Sequence, residues 1–257
     1  MRGVHLLTRA DDAGTNQTMN RAIRATARQG IVRNISLLAP APEIEHAAAM
    51  VDLAERAVFG LHVCLTAEWS GYRWGPVLDT DKVPTLVRPD GTLPFTVKEL
   101  QDLCPDPGEV LTEIAAQLDR LTRLGFAVRY MDEHMLVGEI PDITEVLSQF
   151  ARDKGLLYDR ELRQSGRLTP LPGWTGPDEH PGTELADHLA ETSPGTYLLT
   201  GHPAFKSDEM ERLRLPEQQP GREMIMRNRE RRMFADIEIV DYCDDARIEL
   251  LRYTDLA

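Results

Sequence analysis

The stretch that decides the fold is Val4-His5-Leu6-Leu7-Thr8-Arg9-Ala10-Asp11-Asp12-Ala13-Gly14. It begins as an apolar run typical of a buried strand and ends in two adjacent carboxylates, just before a helical pattern that starts near residue 16. In α/β proteins, ligand-binding and catalytic groups gather at the carboxyl ends of strands. Asp11 and Asp12 repel each other unless a cation lies between them or one carboxyl is protonated. The alternative is that the pair caps the following helix and contacts water.

Strand and helix patterns alternate along the rest of the chain. Apolar runs predict strands over residues 4–7, 32–38, 57–65, 126–131, 196–200 and 248–253. Helical spacing predicts helices over 16–29, 43–56, 109–124, 141–154, 184–191 and 222–237. This alternation predicts an α/β fold with mostly parallel strands, an irregular (β/α) barrel or one that is incompletely closed. We expect residues 1–257 to form a single domain with irregular loop insertions near 66–95 and 159–195.

Composition excludes several classes of partner. The 257 residues carry a formal charge of −13, which argues against nucleic acid or an anionic membrane surface, because phosphate binding needs a basic stripe. The sequence contains no apolar run long enough to span a membrane. The 3 cysteines lie far apart and form no CxxC pair, so neither a disulfide framework nor a zinc ribbon is indicated. We therefore expect a soluble, cytoplasmic protein.

Three histidines fall where predicted strands end or loops begin, as the aspartate pair does. They are His62, His134 and His202. A single histidine in an apolar run is more often a hydrogen-bonded core residue than a ligand, but polar groups from several βα units converge on one face of a barrel. One carboxylate and two imidazoles suit Zn²⁺ or Fe²⁺, and a partly hydrated Mg²⁺ is also compatible. The remaining carboxylate and histidine would serve a hydrolysis as base and acid.

Several motifs occur in the order found in one enzyme family. The chain resembles the YdjC-like carbohydrate deacetylases, relatives of the wider polysaccharide deacetylases. The family's Asn-Ala-Asp-Asp-Phe-Gly corresponds to Arg9-Ala10-Asp11-Asp12-Ala13-Gly14, and its Gly-Leu-His-Leu-x-Leu-Thr to Gly60-Leu61-His62-Val63-Cys64-Leu65-Thr66. Its Asp-Ser-His-x-His, His-Pro-Gly and Arg-x-x-Glu motifs are similar to Asp132-Glu133-His134, His202-Pro203-Ala204 and Arg227–Glu230. The match covers most of the chain.

The resemblance implies a TIM-barrel-like fold and a metal-dependent hydrolase that removes acetyl groups from N-acetylated amino sugars or short oligosaccharides. It makes Asp12, His62 and His134 the ligands of one divalent ion, Zn²⁺ or Mg²⁺. It makes Asp11 the general base that deprotonates the attacking water, and His202 the acid that protonates the departing amine. It also implies a small carbohydrate substrate and a homodimer.

Four of the departures from the family motifs affect what is expected of the substrate. Ala13 replaces Phe, Glu133 replaces Ser, Leu136 replaces the second His, and Ala204 replaces Gly. Ala13 and Ala204 are expected to alter the shape of the pocket, and Leu136 removes a polar group. Glu133 is expected to add a carboxylate beside His134.

Three other readings of the same residues remain open. One is a metal-dependent amidohydrolase acting on a non-sugar substrate, and another is a barrel that binds metal or sugar without turnover. A two-histidine, one-carboxylate iron oxygenase is disfavoured, because the candidate ligands come from widely spaced βα units. The aromatic residues of the 66–95 loop would either stack on a sugar or pack as part of a lid; they are Trp69, Tyr72 and Trp74.

Overall fold

Strand β1 (Val4–Ala13) lies at the centre of a parallel sheet in the computed structural model, which describes residues 3–257. One edge of β1 pairs with β7 along Val4–Ala10. Its other edge pairs first with β8 and then with β2. The remaining strands are β2 (Asn34–Leu37), β3 (Val58–Val63), β4 (Val128–Glu133), β5 (Leu157–Tyr158), β6 (Thr169–Pro170), β7 (Gly195–Gly201) and β8 (Glu249–Leu251).

The sheet order brings the predicted polar positions to one edge. The strands run β5-β4-β3-β2-β1-β7-β6, with β8 added on β1, and each pairing is parallel. Parallel strands present their carboxyl ends together, so the ends of β1, β3, β4 and β7 meet at one edge. This arrangement confirms the predicted α/β fold of mostly parallel strands, curved as in an open TIM-like barrel.

Helices connect the strands and begin at capping residues that the sequence supplies. The Asn16 side chain accepts a hydrogen bond from the Met19 amide at the start of α1, and Asp106 caps α4 in the same way. The helices are α1 (Gln17–Gln29), α2 (Ile44–Ala47), α3 (Val97–Asp102), α4 (Pro107–Arg123), α5 (Pro141–Lys154), α6 (Asp159–Gln164), α7 (Pro181–Glu191), α8 (Asp208–Glu211), α9 (Arg222–Ala235) and α10 (Ile237–Asp245).

Two predicted helices are wrong in part. The helix expected over 43–56 is only one turn of α-helix, α2, and continues as a 3₁₀ helix over Ala48–Leu53. Met50 and Leu53 are both buried, and a 3₁₀ helix places residues three apart on the same side. The helix expected over 222–237 ends at Ala235, because Asp236 is extended at φ −65° and ψ 142°, and α10 then begins.

The segment over 66–95 is irregular in the structure and is anchored to α4. Apart from two short 3₁₀ turns, Thr80–Lys82 and Pro84–Leu86, it has no helix or strand. The buried Glu113 carboxylate accepts hydrogen bonds from the Val77 and Leu78 amides at 2.8 and 3.1 Å. In the segment over 159–195, α7 confirms the short helix predicted over 184–191, whereas α6 and β6 were not predicted because their short lengths give little periodicity to detect.

The two faces of β1 pack against different groups of apolar side chains. Leu6 belongs to the large core between the sheet and the helices, whereas Leu7 belongs to a smaller group that includes Tyr130 and Tyr253. The alternation follows from the two-residue period of a strand. The Tyr130 and Tyr253 rings stack with their centroids 3.9 Å apart. The hydroxyl of Tyr253, which belongs to this smaller group, contacts the buried side chains of Arg9 and Asp159.

Candidate active site

Asp11 and Asp12 both reach the same cavity because the end of β1 is irregular. Successive side chains of a regular strand point to opposite faces, yet both aspartates line one cavity. The pairing of β1 with β2 shifts register between Ala10 and Ala13, and Asp12 has φ 65°, in the left-handed region. Non-glycine residues rarely adopt this conformation, and such strain concentrates at functional sites.

Three side chains from three strand ends converge on one point. Asp12 Oδ1 lies 3.2 Å from His134 Nδ1 and 3.6 Å from His62 Nε2, and the two nitrogens are 3.3 Å apart. All three residues are at most 4% exposed. Asp12 Oδ1 is buried without a hydrogen bond of acceptable geometry, although buried carboxylate oxygens normally have a partner. A carboxylate oxygen and two imidazole nitrogens held this close form a donor set that fits a divalent cation.

Each imidazole is oriented by a second carboxylate on its outer nitrogen. His62 Nδ1 lies 3.1 Å from Asp132 Oδ1, since His62 and Asp132 are cross-strand partners on β3 and β4. His134 Nε2 lies 2.8 Å from Glu68 Oε2. Histidines that bind metals almost always bond their other nitrogen to a carboxylate, a carbonyl or water, which fixes the tautomer and the ring orientation. Both imidazoles are therefore arranged as metal ligands usually are.

The charges in the cluster also favour a cation. Burial acts to raise the pKa of Asp12, but the Arg227 guanidinium and the two imidazoles hold it well below its ordinary value. Burial acts to lower the pKa of His62, yet Asp132 and Asp12 raise it to about 9. The pKa of His134 is likewise raised well above its ordinary value by Glu68 and Asp12. The carboxylates thus attract positive charge to the point where the donor atoms meet.

A second set of potential ligands overlaps the first but fits a cation less well. It consists of Asp11, His62 and Asp132. Both Asp11 oxygens accept hydrogen bonds from Arg9, at 2.7 and 2.9 Å. Asp132 Oδ2 accepts a hydrogen bond from the Ser36 hydroxyl at 3.0 Å and lies 2.8 Å from Arg9 Nη1. These oxygens already have partners, whereas Asp12 Oδ1 does not.

The predicted acid, His202, lies at the same cavity beyond the end of β7. Its ring Nδ1 is 3.5 Å from Glu230 Oε2, and its backbone amide donates to the same oxygen at 2.7 Å. Burial acts to lower the pKa of His202, but the Glu230 carboxylate raises it above its ordinary value. With Nδ1 facing Glu230, the other ring nitrogen remains available to a ligand. The structure therefore brings together all five residues predicted for the site.

Arg227 links helix α9 to the proposed metal ligands. Its Nη1 donates to Asp12 Oδ2 at 2.9 Å, and its guanidinium carbon lies 5.0 Å from the centre of the Trp69 ring. Arg227 and Asp12 are both buried, so the ion pair is shielded from water. This contact leaves Asp12 Oδ1 facing the two histidines.

The cavity has a volume of about 290 Å³, a charged floor and an apolar entrance. The entrance includes Met135, Leu215 and Met226, whose side chains are 37–43% exposed although they are large and apolar. Met135 and its neighbour Leu136 have φ 54° and 58°, so the backbone directly after His134 is strained. Leu136 is also exposed, at 45%. Contiguous exposed apolar side chains often mark a binding surface.

The residues that depart from the family motifs have varied surroundings. The Glu133 carboxylate does not contact His134. It accepts hydrogen bonds from Arg160 at 2.6 and 2.7 Å, from the Gly138 amide at 2.8 Å and from the Tyr158 hydroxyl. The expected extra charge beside the ligand is therefore neutralised by Arg160. Ala13 and Ala204 are fully buried and are not among the residues that line the cavity.

The aromatic residues of the 66–95 segment differ in position. Trp69 lines the cavity and is 4% exposed, whereas Trp74 is buried in the core. Tyr72 is half-buried and packs against the same core. Packing is therefore the main role of Trp74 and Tyr72, and Trp69 alone of the three borders the cavity.

The sequence interpretation missed the residues that support the candidate ligands. Asp132 and Arg227 lie in matched motifs but had no assigned role, and Arg9 lies two residues before Asp11 on the same strand face. Arg9 could have been identified from the sequence, because positions i and i+2 of a strand share a face. Asp132 and Arg227 could have been identified from the motifs that contain them. Glu68 lies in the irregular segment and had no detectable signal.

Comparison with known proteins identifies relatives over nearly the whole chain. The YdjC-like protein family model matches residues 5–245. A protein named carbohydrate deacetylase from Thermoanaerobacter pseudethanolicus is 24% identical over 97% of this chain and 98% of its own. A protein named chitooligosaccharide deacetylase from an Enterobacter species is 27% identical over 78% of this chain and 81% of its own.

A solved structure shares the fold. It is a protein from Enterococcus faecalis described as a candidate cellobiose-phosphate cleavage protein, with a TM-score of 0.80 and 20% identity over 99% of both chains. This likeness supports the TIM-barrel-like architecture alone. Within residues 3–257, no helix is long and apolar enough to cross a membrane.

Proposed function

The chain belongs to the YdjC-like protein family, and we propose that it is a metal-dependent hydrolase that removes acetyl groups from N-acetylated amino sugars or short oligosaccharides. The observation that carries the proposal is the convergence of Asp12 Oδ1, His62 Nε2 and His134 Nδ1. The relatives named as carbohydrate and chitooligosaccharide deacetylases support the substrate class. In this proposal, residues 1–257 act as one domain.

Asp12, His62 and His134 would hold one divalent ion, Zn²⁺ or Mg²⁺. When bound, the ion supplies Lewis-acid polarisation of an amide carbonyl and lowers the pKa of water to about 7. Two imidazoles favour Zn²⁺ on ligand softness. Asp132 and Glu68 would keep the two imidazoles in the tautomers and orientations that binding requires.

Asp11 would act as the general base. Its carboxylate lines the cavity next to Asp12 and is buried, and Arg9 holds both of its oxygens. Each carboxylate oxygen has a further lone pair and can accept a hydrogen bond from water. Burial acts to raise the pKa of Asp11, but the Arg9 charge keeps it below its ordinary value, so the group is ionised and can accept a proton. A barrel that only binds a ligand would not need this second carboxylate.

His202 would act as the general acid. The Glu230 carboxylate raises the pKa of His202 and so favours the imidazolium form at neutral pH. As water adds to the amide carbon, Asp11 accepts a proton from that water. When the carbon–nitrogen bond breaks, His202 donates a proton to the departing nitrogen, and the products are acetate and a free amine.

Acetate release from N-acetylglucosamine and its short oligomers tests the proposal. Protein stripped with a chelator is compared with protein reloaded with Zn²⁺ or Mg²⁺. We expect release only after reloading, and we expect Asp12→Ala to lose both the ion and the activity. Absence of release from every oligomer with either metal, while one ion per chain is bound, would reject the sugar substrate.

A second candidate is the same hydrolysis on a non-sugar amide, which the apolar entrance of the cavity favours. Met135, Leu215 and Met226 offer little hydrogen bonding to sugar hydroxyls, whereas an apolar amide would bury them. Zn²⁺-loaded protein is assayed with N-acetylglucosamine oligomers and with N-acetyl alkylamines. Hydrolysis of the alkylamine amides with no release from the sugars would favour this candidate over the first.

A further inference from the structure

Arg9 holds the proposed base through a two-point contact. Its Nε donates to Asp11 Oδ1 at 2.7 Å and its Nη2 donates to Asp11 Oδ2 at 2.9 Å. The two residues lie two positions apart on β1, so their side chains leave the same face of the strand. A guanidinium fork on both oxygens of a carboxylate fixes the plane of that carboxylate as well as its position.

The rest of the guanidinium is fixed by residues from other parts of the fold. Arg9 Nη1 donates to the Tyr253 hydroxyl at 2.8 Å, and it lies 2.8 Å from Asp132 Oδ2 and 3.3 Å from Asp159 Oδ1. The Tyr253 hydroxyl donates in turn to Asp159 Oδ1 at 2.6 Å. Asp132 lies near the end of β4, Asp159 begins α6, and Tyr253 follows β8. Arg9 is only 7% exposed, so this network is shielded from water.

Asp132 connects this network to the candidate metal centre. One of its oxygens contacts Arg9 and the other lies 3.1 Å from His62 Nδ1. The position of Arg9 therefore constrains the base directly and one candidate ligand through Asp132.

We propose that Arg9, held by Tyr253 and Asp159, is a positioning residue for the reaction: it fixes the orientation of the Asp11 carboxylate toward the attacking water. The inference rests on the proposed deacetylation. Reacting groups must be held within a narrow range of positions, and a displacement of about 1 Å can cost about 100-fold in rate. The planar guanidinium of arginine, which donates to both carboxylate oxygens, supplies this precision, whereas the ammonium group of lysine does not.

Arg9→Lys tests the role, because lysine keeps the positive charge and loses the fork. We expect kcat for acetate release to fall about tenfold or more, with KM and Zn²⁺ stoichiometry unchanged. In an Asp11→Asn background the same substitution is expected to change the residual kcat by less than about twofold, because Arg9 acts through Asp11. A purely structural role would not produce this dependence on Asp11.

Arg160→Lys is the matched control. Arg160 makes the same two-point contact with the Glu133 carboxylate, one residue before His134, but it does not touch Asp11. We expect this variant to retain the wild-type kcat. An unchanged kcat in Arg9→Lys, or equal losses in both lysine variants, would overturn the proposal.

Two further measurements cover the other outcomes. If Arg9→Lys does not fold, Tyr253→Phe removes one hydroxyl that holds Arg9, and an unchanged kcat in that variant would overturn the proposal. If wild-type protein releases no acetate, the proposed function fails, and a crystal structure of Arg9→Lys decides the inference. A rotated Asp11 carboxylate would support positioning by Arg9, and an unmoved carboxylate would refute it.

Discussion

Replacing Glu68 by Gln is expected to weaken metal binding while leaving all three candidate ligands in place. Glu68 Oε2 lies 2.8 Å from His134 Nε2, and both residues are at most 4% exposed. Gln has nearly the same size and can accept the same hydrogen bond, so the substitution removes mainly the negative charge. The charge keeps the nitrogen that faces Asp12 basic and correctly oriented.

The size of the effect follows from the role of the Glu68 carboxylate as the group that orients His134. Substitutions of carboxylates that orient metal-binding histidines cost about 10–100-fold in affinity, which is about 1.4–2.8 kcal/mol. We therefore expect the Zn²⁺ dissociation constant of Glu68→Gln to be about 10–100 times that of wild type.

Competition with a chelator of known affinity, at fixed pH, measures this dissociation constant. Glu133→Gln is the matched control, since Glu133 precedes His134 in sequence but its carboxylate contacts Arg160 and Tyr158 instead. The control is expected to bind Zn²⁺ as wild type does and to lose thermal stability. Unchanged affinity in Glu68→Gln together with weakened affinity in Glu133→Gln would refute the assignment of Glu68.

Three further predictions concern the proposed base, the proposed acid and the fold. Asp11→Asn should retain one metal ion per chain and lose about 10²–10⁴-fold in turnover, and full activity in the metal-loaded variant would exclude Asp11 as the base. Glu230→Gln should shift the alkaline limb of the kcat–pH profile to lower pH, because Glu230 raises the pKa of His202 and only the protonated imidazole can act as the acid. If the alkaline limb does not move, it does not report the ionisation of His202. Gly60→Ala should cost about 1–3 kcal/mol in the free energy of unfolding, measured by denaturant titration, because a Cβ there would lie 2.3 Å from the Tyr130 ring; an unchanged midpoint would show that the ring can move away.

The architecture was predictable because its signals are local. β1 and β3 are apolar runs that end in polar groups, and α5 spans the predicted range 141–154 and begins at Pro141. Parallel pairing then follows from alternation of strands and helices. Very short elements, such as the two-residue strands β5 and β6, carry too few positions for a period to appear.

The candidate ligands were predictable for a similar reason, and their supporting residues only in part. Asp12, His62 and His134 each lie at or just after the end of a strand, so the topology alone brings them to one edge of the sheet. The pairing of Glu68 with His134 depends on the path of an irregular segment, which no periodicity describes. The direction of the Glu133 side chain depends on Arg160 and Tyr158, which lie beyond the next helix in sequence.

A Zn²⁺ titration of chelator-stripped protein, followed by acetate release from a short N-acetylglucosamine oligomer, tests the central claim most directly. The account predicts that release is absent without metal, rises with added Zn²⁺ and reaches its plateau at about one ion per chain, bound by Asp12, His62 and His134. Full release by the stripped protein, or a plateau that is unchanged in His62→Ala, would contradict it.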